Sequence, residues 1–377
     1  MNFVVIYARV SQWSQAVNSR PSRRMGFTLT SRFVKQLRAL PENRELITMP
    51  DPESRNHKLV ILMPVYNDWA ALSILLPSLE RELNADGLRA EILVVDDGST
   101  APVPPNLGQN SFTAIESVDI LSLRRNLGHQ RAIAVGLSYI EANRPCHAVV
   151  VMDCDGEDDP RDVPRLVREC LANEGQKIIF AARTRRGESL AFRFFYRLYR
   201  LIHFLLTGVK VRVGNFSVIP WPVLNRLVAV SELWNHYAAA VHKARLPMML
   251  VPTQRGKRLE GQSHMNVVAL VVHGLSAMAV FGDRIGVRLL IVVSVGMVLA
   301  GGSLIGVVGI RLLTTLAVPG WATYVSGILL VILIQMLLII LVFAFVILAA
   351  RDTASFIPGR DYLYLTGGVQ QVYGRSR

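Results

Sequence analysis

The 377-residue chain carries a formal net charge of +13 and is 51% hydrophobic, which leaves room for one large or two ordinary domains around a sizeable core. Its three cysteines, Cys146, Cys154 and Cys170, stand in no CxxC or zinc spacing and form no even set. That excludes a disulfide framework and a thiolate metal site and suits a reducing compartment. Positive charge alone is compatible with nucleic acid or with anionic lipid headgroups.

Residues 1–56 bring Arg20, Arg23, Arg24, Arg32, Lys35 and Arg38 among polar residues, with no continuous apolar stretch behind a basic start. A basic, flexible, surface-seeking extension is expected here rather than a cleaved signal peptide. From Lys58 the pattern becomes regular. KLVILMPVYND reads as a strand closed by a loop, Trp69 to Leu83 has helical spacing, and AEILVVDDGST is a second strand ending in two aspartates. VDILSLRRNLGHQRAIAVGLSYI reads as strand, loop and helix, broken at Asn126 and Gly128. HAVVVMDCDGEDDP is a further strand end, followed by a helix from Val163 to Asn173 and the strand KIIFAAR. This alternation predicts an α/β domain over 57–265, a mostly parallel sheet with helices on both faces.

Arg183, Arg185 and Arg186 precede a stretch in which Phe192, Phe195, Tyr196, Tyr199 and Phe204 alternate with Arg193, Arg197 and Arg200. An amphipathic interface helix at about 189–208 follows from that mixture, lying in the headgroup layer. A juxtamembrane helix is expected over 266–288. No charge occurs over 289–310 or between Leu312 and Ala350. Each run is long enough to cross a bilayer, so 289–350 reads as two transmembrane helices joined near Pro319-Gly320, in preference to a buried helix pair of a soluble bundle. Arg284 and Arg288 before the hairpin and Arg351 and Arg360 after it, against Arg311 alone between, predict that the long N-terminal part and a tail over 351–377 both face the cytoplasm. The chain is thus expected to be an integral membrane protein, of the inner or plasma membrane if bacterial. With spans nearby, membrane contact outranks nucleic acid, and no nucleic-acid partner is expected.

Polar clusters stand at the predicted strand ends: Tyr66-Asn67-Asp68, Asp96-Asp97, Arg124-Arg125-Asn126 and Asp153 to Asp159. In an open parallel sheet such ends converge on one edge, where ligands bind. Asp153 and Asp155, two positions apart at a strand terminus, can reach one hard cation, and Mg²⁺ or Mn²⁺ would bridge them to a diphosphate. Asp158, Asp159 and Asp162 surround Pro160 before a helix, where the dipole favours negative charge, and the blander reading of a helix start suits Asp159 and Asp162.

Order and spacing strengthen the aspartate pair. Pro64-Val65-Tyr66-Asn67, Val95-Asp96-Asp97-Gly98-Ser99, Asn126-Leu127-Gly128 and Asp153-Cys154-Asp155 occur in the order found in family 2 glycosyltransferases of the GT-A fold. The chain resembles that family over Leu59 to Ser263 and, with its hairpin, the polyprenyl-phosphate glycosyltransferases within it. The resemblance implies a nucleotide-sugar donor, a UDP- or GDP-sugar, held by Pro64, Tyr66, Asn67, Asp96 or Asp97, Asn126, Gly128 and His129. It implies metal and diphosphate on Asp153 and Asp155, and a polyprenyl phosphate or other lipid acceptor near Arg183, Arg185, Arg258 and Ser263. That subgroup's usual DxDLQDPP is here Asp153-Cys154-Asp155-Gly156-Glu157-Asp158-Asp159-Pro160, and GNFSVIP resembles its acceptor-side segment. The QxxRW of processive polysaccharide synthases is missing.

The implied reaction is an inverting sugar transfer, with Asp153, Asp155 and Arg258 as its catalytic groups. A phosphate monoester, with a second pKa of about 6, attacks without a dedicated base. A lipid hydroxyl such as that of diacylglycerol would need one, making Asp158 or Glu157 essential. A non-enzymatic membrane scaffold would have no use for aspartates at several strand ends. Two apolar helices have little to pack against alone, which leaves room for a homo-oligomer.

Overall fold

The computed structural model describes residues 58–107, 111–183, 190–209, 213–260, 267–315, 320–352 and 356–374; the basic extension over 1–56 lies outside them. The apolar run LVILMPV forms β1 (Leu59–Val65), buried along its whole length. Its residues alternate between two cores. Leu59, Ile61 and Met63 pack on one side of the sheet with Leu72, Leu75 and Leu79, while Val60 and Leu62 pack on the other with Ile133, Leu137 and Tyr237. Successive strand side chains point to opposite faces, and both faces here are covered, so the run has no polar side.

The chain proceeds through α1 (Trp69–Ala85), β2 (Ala90–Asp96), β3 (Ile115–Leu123), α2 (His129–Asn143), β4 (Ala148–Val151), α3 (Asp162–Ala172) and β5 (Ile178–Arg183). It continues with α4 (Leu190–Thr207), β6 (Ser217–Pro220), α5 (Trp221–Leu227), α6 (Tyr237–Lys243) and β7 (Met248–Thr253). The strand order is β7-β5-β6-β4-β1-β2-β3, with an eighth strand beside β3. The pairs β1/β2, β1/β4, β2/β3 and β5/β7 are parallel, whereas β4/β6 and β5/β6 are antiparallel. The sheet is therefore mixed at the side beyond β4, because the four-residue β6 returns through the sheet before β7 resumes the parallel direction.

Beyond the sheet, the expected juxtamembrane segment is divided. Val267–Ala279 forms α7, and α8 starts at Gly282 and runs unbroken to Leu313. α9 spans Trp321–Asp352 and packs on α8, with Gly286 against Ile347 and Gly296 against Met336. Both helices are long and apolar enough to cross a membrane, and Gly282–Leu313 and Trp321–Leu348 are almost wholly unburied within the protein. A soluble bundle would cover them; among the described residues they pack on each other, and α8 also meets α4 near its start, where Arg288 donates to Leu205 O.

The segment expected as a tail is instead part of the sheet domain. After α10 (Pro358–Asp361), β8 (Thr366–Gly374) runs antiparallel to β3 and closes that edge of the sheet. The Tyr373 hydroxyl accepts from Phe112 N and donates to Phe112 O, and the two rings meet edge to face at 5.0 Å. Tyr362 meets Tyr139 edge to face, and Phe356 packs on Trp234 with the rings tilted at 36°. The hairpin thus leaves and re-enters one folded body.

Candidate functional site

Because β1, β2, β3 and β4 run parallel, their carboxyl ends share one edge, and each end carries polar residues. Asn67 follows β1 with φ 59°, the left-handed region. Its side-chain Oδ1 accepts from Thr100 N and Ala101 N, both at 2.9 Å, and its backbone N–H donates to Ser99 Oγ. Asp96 Oδ1 accepts from Ser99 N at 2.8 Å. Gly98 adopts φ 71°, and a Cβ there would stand 2.7 Å from Asn126 N. The DDGS turn is therefore held by Asn67 and pressed against the loop after β3, which only glycine allows.

The two adjacent aspartates divide their work. Asp97 is buried, and its oxygens accept from Leu127 N at 2.7 Å and Gly128 N at 2.9 Å, tying the start of α2 to the end of β2. Burial, helped by the neighbouring Asp96 charge, nevertheless holds its pKa above the ordinary range. Asp96 is half-buried with one oxygen engaged by its own turn. Tyr66 is exposed beside it.

At the end of β4 the acidic residues are equally ordered. Asp158, 2% exposed, turns back so that Oδ2 accepts from Asp153 N at 2.9 Å. Its expected place at a helix start gives way to that of a clip under Asp153. Asp159 binds Arg161 N and Nε, which lowers its pKa, and Asp162 opens α3, as a helix-start role requires. Asp155 Oδ1 accepts from Glu157 N at 2.9 Å. Burial, with Asp153 and Glu157 nearby, raises its pKa against the pull of Arg258. Between them lies the buried Cys154, whose thiol burial pushes well above its usual pKa.

A second segment lies over this acidic turn. Gly256 N donates to Glu157 O and Leu259 N to Asp155 O, both at 2.9 Å, and Arg255 pairs with Glu157. Arg258 reaches across, with Nη1 3.4 Å from Asp155 Oδ2 and Nη2 3.6 Å from Asp68 Oδ2. Asp153 Oδ1 in turn lies 3.2 Å from His129 Nε2. Desolvation would lower the His129 pKa, but Asp153, with Asp158 and Asp97, raises it. The same nitrogen is 2.8 Å from Asn215 Nδ2; Asn215 Oδ1 accepts from Gln130, whose Oε1 accepts from Tyr237 N.

The expected residues Pro64, Tyr66, Asn67, Asp96, Asp97, Asn126, Gly128, His129, Asp153, Asp155 and Arg258 all fall on this edge. Arg183 ends β5; Arg185 and Ser263 lie outside the described residues. Asp68 stands in the polar cluster expected at the end of β1 and Asn215 in the GNFSVIP segment, neither with a role of its own; Gln130 was missed, and it meets Asn215 only in three dimensions.

The carboxylates of Asp153 and Asp155 are all-oxygen donors, and Asp155 already holds a cationic guanidinium. They fit a hard divalent ion, which takes one or two protein carboxylates and fills its remaining positions with water and phosphate oxygens. Among the described residues no group of three or more His, Cys, Asp or Glu side chains forms a closed metal cage.

Residues 60–224 match the family model described as glycosyl transferase family 2. The chain is 24% identical over 294 residues to the uncharacterized glycosyltransferase YkcC of Bacillus subtilis (strain 168), covering 74% of this chain and 87% of that protein. It is 28% identical over 162 residues to the undecaprenyl-phosphate 4-deoxy-4-formamido-L-arabinose transferase of Enterobacter sp. (strain 638), covering 43% of this chain and 47% of that one. This second match therefore spans about half the relative's length. Among solved structures, mannosyl-3-phosphoglycerate synthase from Rubrobacter xylanophilus matches at 16% identity and a TM-score of 0.45, over 60% of this chain and 73% of that one.

Proposed function

We propose that the protein, whose residues 60–224 match the glycosyl transferase family 2 model, transfers a sugar from a UDP- or GDP-sugar to a membrane polyprenyl phosphate, with inversion, at the cytoplasmic face. The observation that carries the reading is the pairing of Asp153 and Asp155 at the end of β4 with Arg258 above them, in a domain whose sheet is completed by a strand from beyond an apolar hairpin. The relative named for undecaprenyl phosphate supports the acceptor class.

Asp96 and Tyr66 receive the nucleoside, while Asp97 and Asn67 keep the loops around it in shape. Asp153 and Asp155 would hold Mg²⁺ or Mn²⁺, which when bound neutralises charge on the leaving diphosphate. Arg258 offers a planar fork to the phosphate oxygens and supplies the same sign of charge from the protein side. The acceptor is already an anion near neutral pH, so alignment and charge stabilisation suffice. A lipid hydroxyl finds less support, since Asp158 is committed to Asp153 N and Glu157 to Arg255. Return of β8 to the catalytic sheet supports a hairpin that enters and leaves the bilayer on one side, and the flanking arginines support the cytoplasmic one.

The test is transfer of radiolabel from a panel of nucleotide-sugars into organic-extractable lipid, using membranes with wild type or Asp155→Asn, with and without EDTA. An acid-labile, metal-dependent product lost in the variant supports the reading. An acid-stable product moves the acceptor to a hydroxyl, and no product with any donor defeats it.

A further inference from the structure

Gln335 stands at the middle of the apolar stretch Trp321–Leu348 of α9. Its side chain is exposed, and among the described residues no hydrogen bond reaches its amide. α8 lies elsewhere, against Met336 and Ile347. The spacing of Tyr324, Ile328, Val331, Gln335, Leu338 and Val342, alternately four and three residues, puts Gln335 at the centre of one exposed seam. The seam also contains a depression of about 400 Å³ around Gly327, between Tyr324, Ile328 and Val331.

We propose that this seam packs against the same seam of a second copy of the chain, with the two Gln335 amides hydrogen-bonded to each other. The inference rests on α8 and α9 lying in a bilayer, as the proposed function requires. At the bilayer centre neither acyl chains nor water offer a partner, and an unpaired amide there is costly. Two copies inserted with one topology have α9 helices running parallel, so Gln335 meets its own counterpart at the same depth. An amide both donates and accepts and is therefore self-complementary across a two-fold axis. Side-chain amides are a recognised glue between membrane helices. The two-helix anchor gains from the pairing what it lacks alone, a packed surface along α9.

The test is oxidative crosslinking of the full chain in alkaline-washed membranes, with Gln335→Cys, Leu338→Cys and Met336→Cys compared against wild type, whose Cys146, Cys154 and Cys170 lie in the catalytic domain. Crosslinked dimer at 335 and 338 and little at 336 is expected. In detergent, Gln335→Leu should weaken association about tenfold, while Gln335→Asn retains it. Equal crosslinking at 336, a product with a protein of another mass, or association unchanged in Gln335→Leu overturns the proposal. Recovery of the chain in the alkaline supernatant overturns the membrane reading, and this proposal with it.

Discussion

Arg258 Nη1 lies 3.4 Å from Asp155 Oδ2 while Nη2 lies 3.6 Å from Asp68 Oδ2, so one guanidinium joins the ends of β1 and β4. If Asp155 holds a divalent ion, as the proposed function has it, metal and arginine would compete for this carboxylate, and metal binding would free the fork for phosphate.

Arg258→Ala should consequently do two opposite things. Mn²⁺ affinity, read by titration calorimetry, rises because the competing cation is gone. Sugar transfer falls about 100-fold, the usual effect of losing one charge-stabilising donor. Arg258→Lys should fall between, keeping charge without the planar fork. Unchanged Mn²⁺ affinity in the alanine variant would show that the two cations do not share Asp155.

His236 gives a pH signature of the folded state. It is buried at the start of α6, where its side chain accepts from Ala239 N, and its ring lies 4.7 Å from that of His273. Burial first, then the histidines 273, 129 and 203, depress its pKa to about 3. The unfolded chain takes up the proton near pH 6.5 and the folded chain does not, so stability is full above pH 6.5 and lost as pH falls towards 3. The loss from this group amounts to about 1 kcal/mol between pH 6.5 and 5.5. His236→Asn retains a capping side chain and removes the titration. Its thermal midpoint in detergent should change less over that interval than the wild type's; an equal change would assign the effect to other groups.

Tyr373 tests whether β8 belongs to the catalytic unit. Its hydroxyl serves both Phe112 N, at 3.2 Å, and Phe112 O, at 3.0 Å. Tyr373→Phe keeps the ring contact and strands both backbone groups, which should cost about 1–2 kcal/mol. The unfolding midpoint of the catalytic domain in urea should fall, with the hairpin unaffected. No change would mean that β8 is detached from β3 in solution.

The parts of this architecture that were legible in the sequence are those whose physics is local. β1 was readable because a strand covered on both faces must be apolar throughout, and α2 because its apolar residues recur at helical spacing after Gly128. The place of the aspartate pair was readable because carboxylates are tolerated beyond the end of such a strand and not within it. β8 was not: TGGVQQVYG has two adjacent glycines, weak alternation and a partner strand far back in the chain. β6, four residues long and antiparallel to both neighbours, escaped for the same reason. Within the site, Asp158 looked like a helix-start acid by position. Only the turn at Gly156, with φ 83°, sends its carboxylate back to Asp153 N. The link from Gln130 through Asn215 to His129 is a product of tertiary packing, and neither residue carries a local signal for it.

Gly256 governs how closely the arginine segment approaches the acidic turn. A Cβ at this position would collide with the carbonyl oxygen of Gly156, which is backbone and has no rotamer to give way. Gly256→Ala should therefore lift residues 255–260, breaking the bonds from Gly256 N to Glu157 O and from Leu259 N to Asp155 O. Arg258 then loses its position, and transfer should fall between about 10- and 100-fold through misalignment alone. The nucleoside end of the proposed site rests on hydrogen bonds of Asn67, Asp96 and Asp97 to residues 99–101, 127 and 128, and the arginine segment meets it at Asp68 alone among the ion pairs described. Calorimetric titration with the free nucleoside diphosphate should thus give an affinity within about twofold of wild type, since contacts left in place keep their energy. Loss of both affinity and transfer would place the arginine segment in nucleotide binding, whereas loss of transfer alone assigns it to the reacting end.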